Sequence, residues 1–272
     1  MVLYDHSGMP AFFAWQAAGE QQNAGEGAGG QPTVSIVAPM HNEAGGAAAL
    51  IDEISAALGE AAHEIIVVDD ASTDETFSVL KAAQERTPQL RIVRHGQNAG
   101  QSRALRTGIL AARADIVAML DGDGQNNPAD IPLLLSKLSE EADPPSIAMV
   151  AGERRARQDA AAKKWASRMA NGIRRRLLKD GAVDTGCGLK VFYREAFLRL
   201  PFFDHMHRYL PALMRREGFT VAFVPVSHRP RVHGTSKYTN LGRFLVAIRD
   251  LTGVLWLLSR SRSPKTITES RD

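Results

Sequence analysis

The chain has 272 residues, 44% of them hydrophobic and 23% charged, with a formal net charge of +3 and a pI near 9.1. It is long enough to bury a full core and too apolar for a disordered chain; its one cysteine, Cys187, excludes an intramolecular disulfide and fits a reducing compartment. The basic residues bunch beyond residue 150, in GERRARQ, KKWASRMANGIRRRLLK and SHRPRVHGTSKY, without regularly interleaved aromatics, so an anionic partner other than nucleic acid is expected.

Residues 1–31 read as a flexible leader: MVLYDHSGMPAFFAW has neither the basic start nor the long apolar core of a secretory signal, and Ala, Gly, Gln and Glu fill the rest. From Thr33 the pattern becomes regular. VSIVAP predicts a strand, about Ala47 to Leu58 a helix, HEIIVVDD a second strand, and STDET the start of a second helix, with Ser72 and Glu75 at capping-box spacing. RIVRH, a helix from about Ser102 to Ala112, and DIVAMLDGD continue the alternation. Apolar strands separated by helices imply a largely parallel sheet covered on both faces, with its ligand crevice beyond the strands' C-terminal ends. Glu43, the pair Asp69 and Asp70, and the pair Asp121 and Asp123 all fall at that edge.

On an extended chain Asp121 and Asp123 would lie about 6 to 7 Å apart and face the same way. Such charges repel, and a hard divalent cation, Mg²⁺ or Mn²⁺, relieves the repulsion while leaving coordination places for a phosphate. The competing reading is a solvated Asp-Gly turn. Near the C-terminus, Leu251 to Leu258 is far short of the ~20 residues a spanning helix needs. Phe244 and Trp256, flanked by Arg243, Arg249, Arg260 and Arg262, suit an amphipathic helix at a membrane interface, an ordinary domain-covering helix being the alternative.

Eight segments in order, PMHNEAG, IIVVDDASTDET, NAGQSRALRTGI, MLDGDGQNNP, AGERR, SRMANGIRRRLL, VDTGCGLKVFYR and RVHGTSKY, give the sequence a wider likeness. Over roughly residues 33 to 258 it resembles the family 2 glycosyltransferases, and among them the dolichol- or polyprenol-phosphate sugar synthases. The resemblance implies an α/β fold of GT-A type, a Rossmann-like nucleotide-sugar-binding domain over residues 32–225. An acceptor-side loop and membrane-interface helix would follow over 226–262, and a tail over 263–272.

It also implies roles. Pro39, His41, Glu43, Val68, Asp70, Asp121, Gly122 and Gln125 would hold the nucleotide sugar, with the metal on Asp121 and Asp123. Asp123, Arg154, Arg168, Arg231 and Lys237 would serve the transfer, and Asn171 would lie beside Arg168 on the acceptor side. Departures from the family pattern are His41 for Tyr, Gly122 for Ala, and Leu189 and Lys190 for Phe-Arg. The implied reaction is metal-dependent, inverting transfer from a GDP- or UDP-linked sugar to a polyprenyl phosphate, serving envelope glycan or lipid A modification. A phosphomonoester with its second pKa near roughly 6 is already an anionic nucleophile and needs no strong base. The expected setting is the cytoplasmic face of the membrane, reached peripherally or through a membrane-anchoring partner protein. Two other functions stay open: transfer to a non-lipid acceptor, and nucleotide-sugar binding without turnover. Individual residues have plainer readings too. Glu43 could cap its helix, Asp70 could accept backbone N–H groups, Asp184 could support its loop, and Cys187 reads as a small loop residue.

Overall fold

The computed structural model describes residues 31–140, 147–154, 172, 174, 176–184, 186–230 and 240–261, with side chains of the last stretch from residue 246. The predicted alternation is present as β1 (Val34–Met40), α1 (Ala44–Leu58), β2 (His63–Asp69), α2 (Thr76–Arg86), β3 (Leu90–Arg94), α3 (Gln101–Ala111) and β4 (Ile116–Met119). It continues through α4 (Ile131–Leu138), β5 (Ile147–Arg154), β6 (Lys190–Tyr193), α5 (Arg194–Leu198), α6 (Leu210–Arg216), β7 (Thr220–Val226) and α7 (Asn240–Ser259). The strands form one seven-stranded sheet in the order β3-β2-β1-β4-β6-β5-β7. All seven residues of β1 and of β2 are buried, as expected of strands with helices on both faces.

Only β6 runs against the others: it pairs antiparallel with both β4 and β5, and β5 pairs parallel with β7. This reversal positions the site. The loop before β6 arrives at the edge where β1, β2, β4 and β5 end, so Lys190 lies across from Met119 and Ala151. The strand order turns at β1, with β2 on one side and β4 on the other, which is where an open parallel sheet leaves a crevice.

Two expectations need correcting. The capping box does not form: α2 begins at Thr76, Glu75 makes no capping hydrogen bond, and the Ser72 hydroxyl accepts from the Asn42 N–H at 3.0 Å. Asp74 takes over, accepting from the Thr76 N–H at 3.0 Å and its hydroxyl at 2.5 Å. The cause is the knitting of the β1 and β2 ends, where Asn42 and Ala71 both turn left-handed at φ 57° and the Thr73 N–H donates to Asn42 Oδ1 at 2.8 Å.

Second, Asp121 and Asp123 do not lie on an extended chain. β4 stops at Met119, Gly124 adopts φ 72°, and Asp123 Oδ1 accepts from the Gln125 N–H at 3.1 Å, so the motif is a turn. The apolar stripe of α7, Leu251, Val254, Leu255 and Leu258, packs against the domain core. The Tyr209 hydroxyl donates to the Ala247 carbonyl at 3.4 Å, Arg216 Nε donates to Leu257 O at 3.2 Å, and His205 pairs with Asp250 at 2.9 Å. Trp256, 59% exposed, remains outside with Arg249 and Arg260. Among the described residues no helix is long and apolar enough to cross a membrane.

Candidate active site

The edge where the parallel strands end gathers the predicted acidic residues on separate loops. Asp70 follows β2, and its carboxylate is the hub of one wall: Oδ1 accepts from the Ala99 N–H at 2.9 Å and His95 Nδ1 at 2.7 Å, and Oδ2 accepts from the Gly100 N–H at 2.8 Å. Asp70 thus accepts backbone N–H groups, but from the loop before α3 and not from its own turn. His41, after β1, donates its Nδ1–H to the Asp70 carbonyl at 2.8 Å, leaving Nε2 for a ligand. Glu43 stands at the N-cap of α1 without a capping hydrogen bond, so helix capping does not explain it. Val68 is a correction: it has no exposed surface and packs toward α3, where a Cβ on Gly108 would lie 3.1 Å from its Cγ2. Its side chain belongs to the core, so any contact with a base falls to its backbone. Pro39 is buried likewise, and its carbonyl is what the Asp121–Asp123 turn approaches.

That approach explains one departure from the family pattern. A Cβ on Gly122 would come within 2.4 Å of Pro39 O and 2.7 Å of Met40 Cγ, leaving no room for alanine in this chain. Asp121 itself is held on three sides. Its N–H donates to Asn126 Oδ1 at 3.0 Å, its Oδ1 accepts from Gln101 Nε2 at 2.6 Å, and the Gly188 backbone covers its carboxylate. Desolvation first, and then the charge of Asp123, push the Asp121 carboxyl up to about 6, while Lys190, Gln101 and Arg154 pull it down.

Two cations stand behind this carboxylate. Lys190 is 2% exposed, donates to the Cys187 carbonyl, and has its pKa lowered by burial against the charges of Cys187, Asp121 and Asp184. Arg154 gives its fork to Asp184, Nε to Oδ2 at 2.5 Å and Nη2 to Oδ1 at 2.7 Å. Burial works against the guanidinium's charge, but Asp184 outweighs it and holds the pKa up, and Arg154 in turn holds Asp184 below the usual carboxylate range. Arg154 is therefore not a bare phosphate contact; its planar fork is already bound. Gln125 sits beyond the turn, its carbonyl accepting from the Arg229 N–H at 3.0 Å. Arg168, Asn171, Arg231 and Lys237 lie outside the described residues.

Sequence reasoning left Gln101 and Gly188 unassigned and treated Lys190 only as a weakened arginine. Gln101 carries a recognisable signal, being the first residue of a helix that opens at the crevice edge. Gly188 and Lys190 required knowing that β6 runs backwards. Gly188→Ala is expected to push Asp121 aside, since the new Cβ would lie 2.2 Å from its Oδ2. A displacement of about 1 Å at a reacting site costs roughly a hundredfold. Steady-state rates beside an unchanged circular dichroism spectrum would check it; a rate within twofold of wild type would show that the carboxylate's present position is not needed.

Among the described residues no three His, Cys, Asp or Glu side chains group as a metal cage. An acidic turn in which the charge of Asp123 helps raise the proton affinity of Asp121 does fit Mg²⁺ or Mn²⁺, which keep places for water and phosphate oxygens. Residues 35–200 match the model for glycosyl transferase family 2. The dodecaprenyl-phosphate galacturonate synthase of Rhizobium johnstonii is 32% identical over 237 residues, 85% of this chain and 69% of that protein. The undecaprenyl-phosphate 4-deoxy-4-formamido-L-arabinose transferase of Pseudomonas fluorescens is 33% identical over 210 residues, 76% of this chain and 60% of its own length. Among solved structures, glucosyl-3-phosphoglycerate synthase from Mycobacterium tuberculosis, in complex with Mn²⁺, UDP and glucosyl-3-phosphoglycerate, superposes with a TM-score of 0.63 at 23% identity. That alignment covers 85% of this chain and 80% of the other.

Proposed function

The chain belongs to glycosyl transferase family 2, and on that footing we propose that it transfers a sugar from a GDP- or UDP-linked donor to the phosphate of a polyprenyl phosphate. The observation that carries the reading is the Asp121–Asp123 turn at the end of β4, backed by buried Lys190 and by Arg154 with Asp184. Donor diphosphate and acceptor phosphate are both anions, and bringing them together needs fixed positive charge in a poorly solvated place.

His41, Glu43 and Asp70 frame the nucleotide end of the crevice; Asp121 and Asp123 would hold a divalent cation at the diphosphate. Bound there, Mg²⁺ or Mn²⁺ supplies Lewis-acid stabilisation of the departing diphosphate. Lys190 compensates Asp121 from below, and Gln101 fixes the rotamer of its carboxylate. The acceptor phosphate, already anionic, attacks from the opposite face and inverts the anomeric centre. We place Arg168, Arg231 and Lys237 on that acceptor side, as the family pattern implies. Support for a lipid acceptor comes from the two prenyl-phosphate transferases of similar sequence. Exposed Trp256 and Arg249 on α7, with Arg260 just past its end, support peripheral contact with an anionic membrane surface, at the cytoplasmic face where nucleotide sugars are made.

Incubation with labelled nucleotide sugars, Mn²⁺ or Mg²⁺ and undecaprenyl phosphate, followed by organic extraction, should leave the label in the organic phase. Label found only on water-soluble acceptors would replace the lipid by another acceptor, and nucleotide binding with no transfer to any acceptor would reduce the protein to a binding module.

A further inference from the structure

Gln101 has two sides. Its amide donates to Asp121, and it also lines a cavity of about 370 Å³ between the start of α3 and the segment before α6. Through Gln101 the cavity therefore adjoins the Asp121–Asp123 turn. Its walls are mixed donors and acceptors: Asn98, Gln101, Ser102, Asp204, His207 and Arg208. The first N–H groups of α3, which have no partner within the helix, open on the same side. Val246 of α7 completes the lining. A hydroxyl-rich ring, in which every group both donates and accepts, suits such a lining.

His207 is the fixed point. Its Nδ1 is 2.7 Å from Ser102 Oγ, so the ring is held from α3. Burial first, and then the positive charge of Arg208, keep it well below its ordinary pKa and therefore neutral. A neutral imidazole presents one donor and one acceptor nitrogen, and here the serine, which can donate to or accept from Nδ1, fixes the position of the ring and leaves Nε2 as the nitrogen for a ligand.

We propose that this cavity takes the pyranose ring of the donor and that His207, positioned by Ser102, reads its hydroxyl pattern and determines which sugar is transferred. The assignment rests on the glycosyltransferase reading and adds the place and the reader of the sugar.

The test compares wild type with His207→Phe, His207→Gln and Ser102→Ala in the full chain, each checked for an intact melting transition. Free UDP and GDP with Mn²⁺ are titrated first, then a panel of UDP- and GDP-linked epimeric sugars, and transfer to undecaprenyl phosphate is followed kinetically. For His207→Phe the affinity for the free nucleoside diphosphate should stay within about twofold, while KM for the preferred nucleotide sugar rises roughly tenfold or more. The ranking among epimers should change, and KM for undecaprenyl phosphate should not. His207→Gln, which keeps a donor and an acceptor, should recover part of the loss; Ser102→Ala should lose epimer discrimination more than rate. Equal loss for free nucleotide and nucleotide sugar, an effect on the lipid KM alone, or an unchanged epimer ranking in all three variants would overturn the assignment. A wild-type protein that binds no nucleoside diphosphate would sink the glycosyltransferase reading itself, and this assignment with it.

Discussion

Asp123→Asn is expected to lower metal-dependent transfer by about a thousandfold, roughly 4 kcal/mol of transition-state stabilisation, while the fold persists. The substitution keeps the shape of the turn, because an amide oxygen can still accept from the Gln125 N–H as Oδ1 does at 3.1 Å. What disappears is charge. A second readout follows from the same charge without any turnover. Asp121 titrates at about 6 in the folded protein against an ordinary value of 3.8. Between those values the folded chain holds a proton that the unfolded chain has released, so stability falls as pH rises from about 4 through 6 and is level above. Burial is the larger cause and Asp123 the second, so Asn at 123 should shrink that pH dependence without abolishing it. Urea denaturation of the metal-free protein between pH 4 and 7 measures it. In the wild type, added Mn²⁺ should raise stability at pH 7 and do far less at pH 4.5, where protons hold the site. A variant that retains both the rate and the full pH slope would remove Asp123 from the site.

The half of the fold that alternates strand and helix was legible in the sequence, because β1 and β2 are buried along their whole length and so read as largely apolar runs, interrupted only by Ser35 in β1 and by His63, Glu64 and Asp69 at the ends of β2. The later half was not. β6 is four residues long and reversed, and nothing in KVFY distinguishes an antiparallel insertion from another parallel strand. Yet that reversal is what delivers Gly188 and Lys190 to Asp121. The acidic residues were placed at the right edge, since strand ends can be counted from the pattern. Their local geometry was misjudged because loop hydrogen bonds decide it: Asn42 and Ser72 link two loops that are 30 residues apart in the chain. Val68 shows the opposite limit, a motif position whose side chain the packing around Gly108 takes into the core. His207 has no signal in hydrophobic periodicity, because its meaning comes from Ser102, 105 residues away.

Arg154→Ala is expected to cost about 3 to 5 kcal/mol of folding stability, because it strands the Asp184 carboxylate with its charge unpaired. Both side chains are largely withdrawn from solvent, 11% and 14% exposed, so water does little to replace the lost fork. The pair also shapes the loop that carries Gly188: Asp184 Oδ1 accepts from the Gly186 N–H at 3.1 Å, and a Cβ on Gly186 would meet Arg154 Nη2 at 2.7 Å. Loss of the arginine should therefore loosen the lid over Asp121 and lower transfer as well as stability. Asp184→Ala alone should be destabilising through the uncompensated guanidinium. The double variant should fall well short of the sum, with a coupling energy of at least about 2 kcal/mol in a double-mutant cycle. Lysine at 154 should recover only part, since a point charge cannot span both carboxylate oxygens. Should Arg154→Ala keep its stability and lose only turnover, with no coupling to Asp184, the guanidinium would be a phosphate ligand and not the strut of the β6 loop.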